Sequence, residues 1–207
     1  TFDSRRGVLG NLKFETAKII IDYLVVLFQR EAKSDAPTEP FAISFYGGEP
    51  LMNFDVVRQI VEYAECVEFR NRSLFFTMTT NAMLLSKHAD FLSHHNFKML
   101  ISLDGNKEHD SYRKTPNGSP SFDIVMKNLM DVESMFPKWF ATFRYNAVFS
   151  NISDVRNIVE WFKSQLNTTP NFSPVHTPTK DTKNGYRILS MLKTFEIPED
   201  IALEHGL

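Results

Sequence analysis

The sequence predicts an α/β fold in which parallel strands alternate with helices. Short apolar runs typical of buried strands are separated by longer segments whose apolar residues recur every three or four positions, as in amphipathic helices. Turn-forming residues lie between most of these segments. Such alternation implies βαβ units with right-handed crossovers. It leaves open whether the sheet is open and doubly wound or forms a full or partial (β/α) barrel.

Each element is predicted from its own local pattern. Ala17, Ile21 and Leu24 belong to a broad apolar stripe that indicates the first helix. Ser86 and Ser153 are expected to cap later helices. In chain order we predict a helix over 14–33, a strand over 41–45, a helix over 54–67, a strand over 74–79, a helix over 86–92, a strand over 97–103, a helix over 122–135, a strand over 140–149, a helix over 155–166 and a strand over 171–175.

Composition narrows the possible functions. With 207 residues the chain is expected to form one domain, or one domain with a short appendage. Its formal net charge of −2 gives no reason to expect a nucleic-acid or anionic-membrane partner. No apolar stretch approaches the roughly 18 residues that span a bilayer, and no signal-peptide pattern is present, so we expect a cytoplasmic location. We predict a core over 1–176, followed over 177–207 by a polar linker and a short C-terminal helix.

The most informative motif is the turn Gly47-Gly48-Glu49-Pro50, directly after the strand over 41–45. Glycines leave the backbone open to a ligand, and the residue before a proline is held in an extended conformation. Glu49 is therefore expected beside bare backbone at a strand end, where it could bind a ligand ammonium group. A plain strand-to-helix turn is the alternative, because short motifs often match by chance.

Other polar residues follow the other predicted strands. Thr80 and Asn81 end one strand, Ser102 and Asp104 end the next, and His176 follows the last. Because ligands of parallel α/β proteins bind at the carboxyl ends of strands, these residues are candidates for the same polar rim.

The strand over 140–149 has a polar face. Thr142, Arg144 and Asn146 alternate with apolar residues, whereas an interior parallel strand is usually apolar on both faces. The strand is therefore either an edge strand with a solvated face, or a barrel strand whose polar face lines a ligand site. In the second case Arg144 could bind a carboxylate through charge-assisted hydrogen bonds.

Three of these segments together resemble the radical S-adenosylmethionine (SAM) enzymes. They are Phe45–Leu51 (FYGGEPL), Thr79–Ala82 (TTNA) and Ile101–Gly105 (ISLDG). The chain is most similar to the subgroup with SPASM-type C-terminal domains, which includes peptide thioether-forming maturases and anaerobic sulfatase maturases. The resemblance covers residues 14 to 166, about three quarters of the chain.

The resemblance implies a fold and a set of ligand contacts. The fold would be a partial (β/α)6 barrel, here without its first strand. Gly47, Gly48 and Glu49 would contact the amino group of SAM, Ser102 its ribose or carboxylate, and Arg144 its carboxylate. Thr80, Asn81 and Asp104 would line the site near the cofactor or a peptide.

The chain departs from that family at its iron–sulfur site. The family's CxxxCxxC loop, which binds a [4Fe–4S] cluster through thiolates, is absent, because Cys66 is the only cysteine. We therefore expect the chain to be a fragment of a longer enzyme, truncated upstream of Thr1, with the cluster in the parent protein. The C-terminal auxiliary-cluster domain is also expected to be missing.

Three functions follow as hypotheses. The first is a fragment, inactive by itself, of a radical SAM enzyme that modifies a peptide or protein side chain, either as a thioether-forming maturase or, alternatively, by sulfatase-maturating oxidation. The second is a cluster-free scaffold that binds a peptide or small metabolite. The third is a hydrolase or lyase that uses Glu49 and Asp104 as an acid–base pair. An edge strand exposed by truncation could also favour self-association.

Overall fold

The fold is an α/β arrangement with a parallel sheet. The structure, a computed structural model, describes residues 10–31, 39–108, 113–115, 117–149 and 155–174. In chain order its elements are α1 (Phe14–Glu31), β1 (Phe41–Phe45), a 3₁₀ turn (Pro50–Asn53), α2 (Phe54–Glu65), β2 (Leu74–Thr80), α3 (Leu85–His94), β3 (Lys98–Ser102), α4 (Phe122–Met135), α5 (Pro137–Phe140), β4 (Arg144–Phe149), α6 (Val155–Leu166) and β5 (Asn171–Pro174). The strands follow one another in the sheet in chain order, as β1-β2-β3-β4-β5. The predicted α/β class is confirmed.

The described residues divide into two compact units. The larger unit contains 10–100 and 127–143, and the smaller unit contains 101–126 and 144–174, so that the boundary falls inside β3. β1 pairs in parallel with β2 in the larger unit, and β4 pairs in parallel with β5 in the smaller unit.

None of the described helices is long and apolar enough to cross a bilayer. The predicted segment over 177–207, His176 and the Ser153 cap lie outside the described residues.

The larger unit is built around a core of phenylalanines. The ring of Phe97 lies 5.7 Å from that of Phe45 and 5.3 Å from that of Phe76. On α2 the buried residues Val57, Ile60, Val61 and Ala64 keep the three-to-four-residue spacing of the predicted stripe. The apolar periodicity of the sequence therefore identifies the core face of this helix correctly.

Helix α3 begins without the predicted cap. Its N-cap position is Leu84, which makes no side-chain capping bond, and Ser86 lies inside the helix. The Ser86 hydroxyl instead donates to Oδ1 of Asn128 on α4, at 2.7 Å. The prediction for Ser86 was wrong because a tertiary partner takes the hydroxyl.

The predicted strand over 140–149 begins four residues late. Pro137 starts the short helix α5, at a position where proline's missing N–H costs nothing. The Trp139 indole N–H donates to the Phe97 carbonyl oxygen at 2.8 Å, and both Trp139 and Phe140 are buried. Thr142 consequently lies in a turn, and β4 starts at Arg144.

In the smaller unit β4 is an interior strand. The Leu103 N–H donates to the Asn146 carbonyl oxygen at 3.1 Å on one side, and β5 pairs with β4 on the other. The edge-strand explanation of its polar face is therefore wrong. Tyr145 and Ala147 are buried, with the Tyr145 ring 5.5 Å from Phe162 of α6. Arg144 and Asn146 lie on the opposite, solvent-accessible face of the strand.

Candidate functional site

The turn after β1 combines unusual backbone geometry with free space. Gly47 has φ +147°, a conformation that L-amino acids rarely adopt, whereas Gly48 does not lie in that region. A Cβ added at either glycine would meet no atom within 4 Å. The backbone conformation at position 47 therefore favours glycine over any other residue. Both glycines also leave room for a ligand to approach main-chain groups.

Glu49 follows in the extended conformation that the proline predicts, with φ −145° and ψ 106°. Its Oε1 accepts hydrogen bonds from the Leu51 N–H at 3.1 Å and from the Thr80 hydroxyl at 2.7 Å. Its Oε2 accepts one from the Asn81 N–H at 2.8 Å. A carboxylate offers about four acceptor sites, so Oε2 can accept one more donor. The carboxylate is oriented before any ligand arrives.

Thr80 and Asn81 hold Glu49 in place. Thr80 is 2% exposed; its hydroxyl uses its one donor on Glu49 and also accepts from the Ala82 N–H at 3.0 Å. Asn81 is half-buried and uses its Oδ1 to accept from the Met83 N–H at 3.0 Å. Thr80 thus orients the carboxylate, while the Asn81 side chain keeps its NH₂ group for other contacts.

Asn128 supports the turn that follows β2, and the sequence analysis did not indicate it. This buried residue of α4 donates from Nδ2 to the carbonyl oxygens of Ala82 and Met83, at 2.9 and 2.8 Å. Ala82 has φ +58°, a conformation that is unfavourable for a residue with a side chain. A polar residue between apolar positions of a helix was the only signal that could have pointed to Asn128.

An apolar cavity of ≈ 750 Å³ borders the glycine turn after β1. Its lining includes Gly47, Gly48 and Glu49 together with residues of β1. The apolar walls come from α1 and α2, and they include Ile20, Ile21, Leu24, Val57 and Ile60. The glycine turn therefore borders a space of the size that small-molecule sites have.

In the smaller unit Asp104 is already paired. Arg113 donates to both of its carboxylate oxygens, from Nε at 2.8 Å and Nη2 at 2.7 Å, and the Val148 N–H donates at 2.8 Å. The side chains of Asp104 and Arg113 are 8% and 26% exposed. The structure therefore places Asp104 in a buried ion pair that attaches the loop after β3 to β4. Nothing in the local sequence around Asp104 identified Arg113 as its partner.

Ser102 and Arg144 are accessible in the same unit. Ser102 is half-buried at the end of β3, and no described residue forms a hydrogen bond with its hydroxyl. Arg144 is exposed and is the first residue of β4, which puts it at the amino end of the strand and not at the carboxyl end where ligands usually bind.

Replacing each of the two glycines with alanine is expected to change the stability of the protein by different amounts. Gly47→Ala should lower the free energy of unfolding by about 1–2 kcal/mol, because it forces a side chain into an unfavourable backbone conformation. Gly48→Ala should change it by less than about 0.5 kcal/mol, since the added methyl meets open space. Urea denaturation of both variants checks this, and equal destabilisation would contradict it.

The chain is similar in sequence to several known proteins. A family profile described as "4Fe-4S single cluster domain" matches residues 25–125. An uncharacterized protein of Methanocaldococcus jannaschii is 33% identical over 125 residues, which are 60% of this chain and 40% of that protein. A cysteine-type anaerobic sulfatase-maturating enzyme of Clostridium novyi is 30% identical over 146 residues, covering 69% of this chain and 38% of the enzyme.

A solved structure shows the same fold. It is that of native anSMEcpe with bound AdoMet (SAM) and Kp18Cys peptide, with a TM-score of 0.69 and 21% sequence identity. The match covers 84% of this chain and 46% of that chain. At this identity the likeness supports the fold alone.

The fold and the site together define an α/β protein with a parallel sheet and an oriented carboxylate at a strand end. The sequence matches show that the chain is homologous to the anaerobic sulfatase-maturating enzymes and to other radical SAM enzymes. The resemblance stated from the motifs is confirmed. The chain spans about 40% of the length of these curated relatives.

The residues of this chain do not fit an iron–sulfur cluster. A [4Fe–4S] cluster needs several cysteine thiolates, whereas the chain has only Cys66, which is exposed. Within the described ranges no group of histidine, cysteine and carboxylate side chains could hold a metal ion. SAM fits better, because Glu49 keeps an acceptor site for an ammonium group beside open backbone.

Proposed function

We propose that this chain is the SAM-binding part of a radical SAM enzyme that modifies a peptide or protein side chain. The observation that carries the proposal is the Glu49 carboxylate, oriented by Thr80 and by the Asn81 N–H beside the open Gly47-Gly48 backbone. An anionic group fixed in advance can bind an ammonium group without a further ordering cost.

Each predicted site residue has a proposed part. In the larger unit Glu49 Oε2 accepts from the SAM ammonium group, the glycines let the ligand approach the backbone, and Asn81 offers its side-chain amide. Thr80 acts through Glu49. In the smaller unit Ser102 binds the ribose or the carboxylate and Arg144 supplies positive charge toward the carboxylate. Asp104 acts indirectly, by holding the loop after β3.

The activity and the partner concern the whole protein. SAM supplies a carbon-centred radical when it is cleaved reductively, and the [4Fe–4S] cluster that would do this in the parent enzyme is not held by residues of this chain. A peptide or protein substrate is supported by the name of the C. novyi relative and by the peptide bound to anSMEcpe. Thioether formation and, as an alternative, sulfatase-maturating oxidation are both compatible with this proposal.

The finer fold prediction is also part of the proposal. We propose a partial (β/α)6 barrel in which a further strand pairs with the edge of β1 that no described strand covers. Support comes from β1, which is the first strand of the sheet, and from α1, where Ile19 is 69% and Tyr23 62% exposed. When that edge is uncovered, self-association through it is expected. A cytoplasmic location and the absence of nucleic-acid and membrane partners stay predictions from the sequence.

The two other functions have less support. Acid–base chemistry by Glu49 and Asp104 needs carboxylates that are free to exchange protons, but each accepts at least three hydrogen bonds from its own unit. A cluster-free scaffold would use the same cavity as a SAM-binding chain. It would be favoured if a peptide bound to the chain and SAM did not.

Calorimetric titration of the chain tests the proposal. SAM and S-adenosylhomocysteine should both bind, because they share the amino acid group. 5′-Methylthioadenosine, which lacks that group, should bind at least about tenfold more weakly, since it forfeits at least one charge-assisted hydrogen bond. Absence of SAM binding, or equal affinity for 5′-methylthioadenosine, would overturn the proposed recognition.

A further inference from the structure

The turn between β2 and α3 supplies two of the hydrogen-bond donors that hold Glu49. The Thr80 hydroxyl donates to Glu49 Oε1 at 2.7 Å, and the Asn81 N–H donates to Oε2 at 2.8 Å. A backbone N–H lies in the plane of its peptide bond and cannot turn by itself. The direction of the Asn81 donor is therefore set by the path of the main chain, and a shift of the turn would shift the Glu49 carboxylate with it.

Two local bonds shape this turn but do not fix its place in the larger unit. The Ala82 N–H donates to the Thr80 hydroxyl and the Met83 N–H donates to Asn81 Oδ1, each at 3.0 Å and each between residues two positions apart. Ala82 has φ +58°, a conformation that an L-amino acid with a side chain adopts only at a cost. Helix α3 then begins without a side-chain cap at Leu84. The turn consequently needs support from outside its own segment.

Asn128 gives that support from a distant part of the chain. Its Nδ2 donates to the Ala82 and Met83 carbonyl oxygens, at 2.9 and 2.8 Å. Carbonyl oxygens only accept, so the NH₂ group must face them, and Oδ1 accepts from the Ser86 hydroxyl at 2.7 Å. Asn128 is 7% exposed. Both hydrogens of its NH₂ group thus have acceptors inside the larger unit, and neither is left for a ligand.

An amide at position 128 is informative because the position lies on the buried face of a helix. Leu129 and Val132, on the same helix, are both buried. An apolar residue would serve packing there, whereas a buried amide costs free energy unless its donors and acceptors are paired. Asn128 meets that condition with the three bonds just described, two of which go to the turn that carries Asn81. Its polarity therefore serves the turn and not the packing of the helix.

We propose that Asn128 is a positioning residue for the ammonium subsite at Glu49. It fixes two carbonyl groups of the turn, and the fixed turn aims the Asn81 N–H at Glu49 Oε2. The carboxylate is thereby held ready to accept from an ammonium group, which lowers the ordering cost of binding. Ser86 acts one step earlier, by setting which way the Asn128 amide faces. The inference rests on the proposed function and deepens it, because the ammonium group is that of SAM.

Asn128→Leu tests the inference directly, since leucine has a similar volume and no hydrogen-bonding group. The affinity for SAM should fall about tenfold, as expected when a hydrogen bond to a charged group is misaligned. The affinity for 5′-methylthioadenosine should stay within about twofold, since this ligand lacks the amino acid group and has no such bond to lose. In the chain without ligand, the Asn81 amide hydrogen should exchange with solvent at least about tenfold faster by NMR, because the turn opens more easily.

Ser86→Ala is a milder second variant, which is informative even if Asn128→Leu does not fold. It removes the hydroxyl that orients the Asn128 amide, so the SAM affinity should fall about threefold, as expected when a neutral hydrogen bond is weakened. The matched control is Trp139→Phe, which removes another buried bond from a side chain to a carbonyl group in the same unit, the one to Phe97 at 2.8 Å. This control should lose stability but keep the ratio of SAM to 5′-methylthioadenosine affinity within about twofold of the wild type, because the bonds that orient the Glu49 carboxylate stay in place.

The ratio of the two affinities separates positioning from stability. The inference is overturned if Ser86→Ala and a folded Asn128→Leu keep the wild-type ratio, or if Trp139→Phe lowers the ratio as much as they do. If Asn128→Leu does not fold, the ratio and the Asn81 exchange rate in Ser86→Ala decide. Failure of the wild-type chain to bind SAM would overturn the proposed function and this inference with it. Normal SAM binding by the wild type, with an unchanged ratio in the variants, removes the inference alone.

Discussion

Replacing Arg113 with methionine is expected to lower the free energy of unfolding by about 3 kcal/mol. The change keeps much of the length of the side chain but removes both hydrogen bonds that Arg113 donates to the Asp104 carboxylate, which is 8% exposed. Removing one partner of a buried ion pair typically costs about 3–5 kcal/mol. We expect the lower end because Arg113 itself is 26% exposed.

The same substitution at a surface pair is the control. Lys127 donates to Asp131 at 2.6 Å, but their side chains are 75% and 39% exposed. Lys127→Met should therefore cost less than about 0.5 kcal/mol. In the double variant Asp104→Asn/Arg113→Met the buried charge is gone, so part of the lost stability should return. Urea denaturation measures all four proteins, and an Arg113→Met effect as small as that of Lys127→Met would contradict the ion pair's role.

Glu49→Gln is expected to abolish most SAM binding and also to destabilise the protein by about 1–2 kcal/mol. Glutamine has one acceptor oxygen where glutamate has two. If its oxygen keeps the bonds from Leu51 and Thr80, its NH₂ group faces the Asn81 N–H, and two donors oppose each other. A buried or half-buried donor that loses its acceptor costs about 1–3 kcal/mol.

The control for Glu49→Gln removes the same charge elsewhere in the larger unit. Glu62 on α2 is exposed, so Glu62→Gln should leave both stability and SAM affinity within experimental error of the wild type. SAM affinity is measured by calorimetry below the unfolding transition of the variant, so that lost binding is not confused with lost folding. Unchanged SAM affinity in a folded Glu49→Gln protein would show that the carboxylate does not bind the ammonium group.

Much of the fold could be predicted because its signals are local. The helices over 122–135 and 155–166 have the predicted bounds, and the strand over 41–45 does as well. Apolar spacing and turn residues act within a few positions along the chain, so a single sequence reveals them. The errors at Ser86 and at the start of β4 arose where a distant residue, Asn128 or Phe97, supplied a hydrogen-bond partner.

For the candidate site the sequence by itself determined which residues stand at the strand ends, and the three segments over 45–51, 79–82 and 101–105 together indicated the lineage. Only the tertiary structure decided what these side chains do. The tertiary structure pairs Asp104 with Arg113, orients Glu49 through Thr80, and places Asn146 beside Ser102. The physical reason is that a polar side chain takes its role from the donors and acceptors around it, and in a folded chain most of these come from residues far away in sequence.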